Sequence, residues 1–201
     1  MKKSSDTNRS WFIVGRWQEF DGEGRANLVR VLALVVFFGV QLIRHQFIDT
    51  EDPAASTFHR HSTLVVVAWS LVCLAVLVCL QRKIFPAWLK YFSTAADLTL
   101  LTALAQVGGG TQSALVQVYY LVIGLAALRF RVGLVWFATL ASMAGYLSLV
   151  AGHDKTWFDA EHATPVVQQL VTLVSLAMAG VIAGQVVRKA QAMAHEYADR
   201  A

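Results

Sequence analysis

Thr63 to Leu80, TLVVVAWSLVCLAVLVCL, runs for 18 residues without a charged side chain. A helix needs about 20 predominantly apolar residues to cross a bilayer, whose interior offers no water to satisfy a bare backbone. We therefore read this stretch as a transmembrane helix. Five more meet the same criterion: Asn27–Phe47, Ala87–Val107, Ser113–Phe130, Val132–Gly152 and Pro165–Val187.

Composition agrees. The 201 residues are 56% hydrophobic and 15% charged, and the mean hydropathy is +0.51, too apolar for an ordinary soluble domain. Six spans leave little room for a soluble domain of any size, so the expected fold is all-α, an integral membrane six-helix bundle. The first span starts too late and runs too long for a cleavable signal peptide. Cys73 and Cys79 share the second span on different faces, so they read as small apolar residues and not as a disulfide.

Basic residues set the orientation. Lys2, Lys3, Arg9, Arg16, Arg25, Arg30, Arg82, Lys83, Lys90, Arg129, Arg131, Arg188, Lys189 and Arg200 fall on one side, and only Arg44, Arg60 and Lys155 on the other. The positive-inside rule makes the first side cytoplasmic, with both termini there. The net charge of +4 then reflects topology and not nucleic-acid binding. Three regions follow: a cytoplasmic tail over 1–24, a six-span domain over 25–187 and a helical extension over 188–201. In the tail, Trp11, Phe12, Val14, Trp17 and Phe20 alternate with Arg16 and Glu19, which suits either an interfacial helix or a tail packed on the bundle. The extension holds good helix formers without Gly or Pro, so the last helix should project into the cytoplasm. Gly108-Gly109-Gly110 reads as a tight outer turn, not a phosphate loop, because no Lys-Ser/Thr follows it.

Five of the six histidines, His45, His59, His61, His153 and His162, fall on the outer side with the acids Asp49, Glu51, Asp52, Asp154, Asp159 and Glu161. Three readings stand side by side. Converging imidazoles would bind a transition metal ion or haem b; histidines beside acids would titrate as a pH switch; or they are ordinary polar residues at an interface. His59 and His61, two apart, would not share a helix face. Asp97 is the one acid well inside a span. A carboxylate there must face protein or water, as a proton relay, a ligand-binding group or a hydrogen-bonded clamp between helices. For the clamp Gln106, Gln117, Tyr119 and Tyr120 are in reach with none singled out, and replacement by Leu should cost about 1–3 kcal/mol. Gly180-x-x-x-Gly184 is a helix-packing pattern, inside the bundle or across a dimer.

Asp97, then Gly108-Gly109-Gly110 with Ser113, then Arg131 and Gly133, together resemble the six-helix membrane domain of pilus-regulating sensor histidine kinases. The segments Lys90–Asp97, Ala127–Phe130 and Trp136–Leu140 are more similar still to the six-helix membrane anchors of bacterial class III adenylate cyclases. The resemblance covers roughly residues 25–195. It implies an input domain whose last helix hands a signal to a dimeric cytoplasmic effector. The chain departs from both families in carrying no kinase or cyclase residues, so it is either part of a longer receptor or a free-standing relative. The function the resemblance implies is thus a non-catalytic membrane sensor or anchor of a bacterial inner membrane, a homodimer in the lipid bilayer with a cytoplasmic effector as partner. The alternatives are a small cytochrome b-like haem electron carrier and, with only one intramembrane acid and no broken helices, a transporter.

Overall fold

The computed structural model describes residues 22–40, 42–43, 46, 53–82, 86, 88–153 and 165–200. Its elements are all helical: α1 (residues 22–40), α2 (Pro53–Gln81), α3 (Leu89–Val107), α4 (Val118–Ala127), α5 (Val132–His153) and α6 (Val166–Arg200). The stretches His59–Gln81, Val132–Gly152 and Val166–Ala194 are long and apolar enough to cross a membrane. The predicted interfacial segment around Trp11–Phe20 lies outside the described residues.

The helices outrun or fall short of the apolar runs for local reasons. Helix α2 starts ten residues before Thr63, at Pro53; proline suits a first helical position, where its missing N–H costs nothing. The predicted fourth span is less regular than its composition. After α3 closes with the Gly108 N–H on the Leu104 carbonyl, Gly109 and Gly110 take φ values of 105° and 63°, where a side chain would be strained. Two short 3₁₀ turns follow, Gly110–Gln112 and Ala114–Gln117, the second capped by the Ser113 hydroxyl, which accepts from the Leu115 N–H at 3.2 Å. Only then does the 10-residue α4 begin.

Helix α5 forms the middle of the bundle and packs on α3, α4 and α6. Its Leu134, Val135, Ala138, Tyr146 and Leu149 are buried against Leu101 of α3, Tyr119, Val122 and Ile123 of α4, and Leu176 of α6. Gly180 makes the α5–α6 approach possible: a Cβ there would collide with the Thr139 side chain, whereas one at Gly184 would meet nothing within 4 Å. The packing glycine thus works inside the bundle.

Outward faces are apolar. Leu28, Leu32 and Val35 on α1, Leu64 and Leu71 on α2, and Val167, Leu170, Val174 and Ile182 on α6 are all more than half exposed. Contiguous apolar faces of this extent are unusual in water, and with the three long apolar helices they give the chain the character of a multi-pass membrane protein.

Candidate functional site

One face of α1 carries the site. Glu23, Asn27 and Arg30 recur at helical spacing, so they share one face, and all three are buried. On α3 the matching stripe is Lys90, Ser93, Thr94 and Asp97, also buried. Placed together, the two stripes build a polar column in an otherwise apolar bundle.

Its upper part centres on Asp97. Arg30 donates from Nε at 3.0 Å and from Nη2 at 2.7 Å, both to Asp97 Oδ2. Trp69 on α2 donates from Nε1 to the other oxygen, Oδ1, at 2.7 Å. Arg30 Nη1 donates to Asn27 Oδ1 at 2.9 Å, and Asn27 Nδ2 reaches the Cys73 carbonyl at 3.4 Å. Helices α1, α2 and α3 therefore meet on one carboxylate. The side chains of the ion pair are 1% and 3% exposed. A buried ion pair is a poor source of net stability, because desolvating both charges offsets their attraction, but breaking it strands a charge.

The lower part centres on Arg129, in the turn between α4 and α5. Its Nη2 donates to Glu23 Oε1 at 2.8 Å and to Ser93 Oγ at 3.0 Å, and its Nε lies 2.8 Å from Glu23 Oε2. Its Nη1 donates to the Lys90 carbonyl and to the Thr94 hydroxyl. The next residue, Phe130, has φ of 50°, a conformation a bulky residue adopts only when its surroundings hold it there. The Phe130 carbonyl accepts from Nε2 of Gln191 at 2.7 Å. A continuous set of contacts thus leads from Asp97 through α1 and α3 to the Arg129 turn and the lower part of α6.

Above the ion pair lies a cavity of about 370 Å³. Arg30, Asp97 and Trp69 form its floor; Leu34, Leu101, Leu104, Val118 and Val122 form its walls; Gly108 and Ser113 lie at the far end. The lining residues Phe37 and Val40 on α1 and Leu121 on α4 are exposed, so the cavity opens sideways between those helices.

The structure changes the sequence reading at Asp97. Its burial in a hydrogen-bonded clamp is as expected, but its partners are Arg30 and Trp69. Tyr119 instead bonds the Thr102 hydroxyl at 2.7 Å, Gln106 lies against Gly152, Gln117 is exposed and Tyr120 is half-buried away from the carboxylate's bonds. Arg30, counted in the sequence as a basic residue of the inner side, stands eight residues into α1, about 12 Å from its start. Its charge is spent inside the bundle. The i, i+4, i+7 spacing of Glu23, Asn27 and Arg30 was the signal that could have revealed a buried polar face.

Of the five outer histidines, His59, His61 and His153 fall among the described residues. His59 lies in α2 with its ring stacked on Phe38, centroids 6.4 Å apart, and its carbonyl accepts from Ser62 and Thr63. His61 is exposed and His153 ends α5. His45, His162 and the outer acids lie outside the described residues. Among the described residues no three His, Cys, Asp or Glu side chains are grouped to hold a metal ion. No family model matches the chain, and no similar curated protein or solved structure was found at a significant level.

Proposed function

We propose that the chain is the membrane input domain of a signalling system. In this reading six helices cross the bilayer, α1, α3 and the short α4 together with the three long apolar helices, and both ends lie in the cytoplasm. The excess of basic residues at one end of the bundle supports that orientation even with Arg30 withdrawn from the count, since Arg82, Arg131, Arg188 and Lys189 belong to that end and are exposed. The domain performs no chemistry. It holds or changes a helix arrangement, and α6 carries that arrangement to an effector of the nucleotide-cyclase or histidine-kinase type, working as a homodimer.

The observation that carries the reading is the run of contacts from a cavity floor inside the bundle to α6. A structural anchor has no need of an ion pair at the base of a cavity, and a catalyst would need reacting groups there beyond a paired Arg and Asp. Helix α6 has 35 residues, about 52 Å of helix against roughly 30 Å of hydrocarbon, so it reaches well past the membrane. The test is a dimeric cyclase domain fused in helical register after Arg200. Asp97→Asn should change its output by about fivefold or more, the lower range of allosteric coupling. Unchanged output across Asp97 and Arg30 variants that still fold would reduce the chain to an anchor.

A further inference from the structure

We propose that the cavity binds an uncharged single-chain amphiphile, an alkyl chain ending in a hydroxyl, with the hydroxyl on the Arg30–Asp97 pair. The proposal deepens the input-domain reading by naming the class of its ligand.

The floor decides the head group. Three of the five guanidinium N–H groups are engaged by Asp97 and Asn27, which leaves donors over. Asp97 accepts three hydrogen bonds from Arg30 and Trp69, against about four lone-pair sites on a carboxylate. The pair as a whole is neutral, yet it retains both donating and accepting capacity. A hydroxyl can accept from one member and donate to the other without adding charge. A carboxylate or an ammonium would bring an uncompensated charge into the bundle, where desolvation is expensive.

The walls decide the tail. From Asp97 to Gly108 the lining stripe of α3 rises about 16 Å, through Leu101 and Leu104. At about 370 Å³ the space lies low in the ~300–1,000 Å³ range of small-ligand sites, enough for one medium-length chain. The sideways opening past Phe37, Val40 and Leu121 faces the acyl chains in a bilayer, the phase from which an aliphatic alcohol would enter.

The test uses the full chain in phosphatidylcholine nanodiscs with a decanol analogue carrying a diazirine near its chain end. Labelling should saturate and map to peptides of the cavity wall around Leu104, Val118 and Val122. Decanol should compete at a concentration at least about tenfold below that of decanoate, a gap of about 1.4 kcal/mol. Ala33→Phe, which places a ring in the cavity, should remove the labelling; the competition needs no variant. Equal or better competition by decanoate would overturn the uncharged head group. Unsaturable labelling, or labelling at Val171 and Ile182 as strong as in the cavity, would show partition into lipid only and overturn the site. Binding is read on the chain itself and signalling on the cyclase fusion, so a chain that relays but binds no alcohol is told apart from one that does not relay.

Discussion

Arg30 and Asp97, 67 residues apart in sequence, meet with two guanidinium nitrogens on a single carboxylate oxygen. Asp97 is the ninth of the 19 residues of α3, so in a bilayer the pair would sit near the mid-plane. There each charge is tolerable only because of the other.

Asp97→Leu should therefore cost more than a lost hydrogen bond between neutral groups. It strands the Arg30 guanidinium, and a penalty of about 3–5 kcal/mol is expected. Asp97→Asn keeps the bond to Trp69 but not the charge and should fall between Leu and the parent. Pairing Arg30→Met with Asp97→Leu should recover much of the loss, because two apolar side chains replace the ion pair. Unfolding titrations in mixed micelles would measure all three. A single Leu variant as stable as the parent would show that the pair is not closed as described.

Gly180 and Gly184 should respond differently although they form one motif. Gly180→Ala forces a methyl group onto Thr139 and should destabilise by about 1–3 kcal/mol, as overpacking does. Gly184→Ala meets open space and should stay within about 0.5 kcal/mol of the parent. The same titrations apply; equal effects would place the close α6 contact elsewhere.

The proposed orientation has a direct readout. A reporter active only in the cytoplasm, fused after Ala201, should be active, and one active only outside should be silent. The reverse pattern would overturn the charge argument.

The electron-carrier alternative requires a Soret band that survives purification without added haem. The input-domain reading expects none to be needed for relay, so a colourless protein whose cyclase fusion still responds to Asp97→Asn would remove the alternative. A retained band lost on replacing the five outer histidines would favour it.

The helical class, the approximate ends of α3 and α5 and the start of α6 were legible in the sequence, because uninterrupted apolar length is a strong physical constraint. Less legible was the segment 108–117, where three glycines permit a reversal and 3₁₀ turns that hydropathy averages away. Asp97 announced itself by being charged among leucines. Arg30 did not: near a span's end the same residue can serve as a cytoplasmic anchor or reach inward, and only its spacing from Glu23 and Asn27 separates the two. Trp69 was invisible because its ring belongs in any apolar span, and what matters is the direction of one N–H. Arg129 is equally typical of an inner turn until Glu23 is brought beside it.

The most direct measurement of the relay is a double-mutant cycle on the output of the cyclase fusion, combining Asp97→Asn with Gln191→Ala. Gln191 is neither among the cavity's lining residues nor bonded to the ion pair, and its bond to the Phe130 carbonyl joins the Arg129 turn to α6 directly. If the contacts transmit, the effect of Asp97→Asn should shrink once Gln191 is replaced, with a coupling of about 0.5–1.5 kcal/mol, the worth of one such hydrogen bond. Effects that simply add would contradict transmission through this turn.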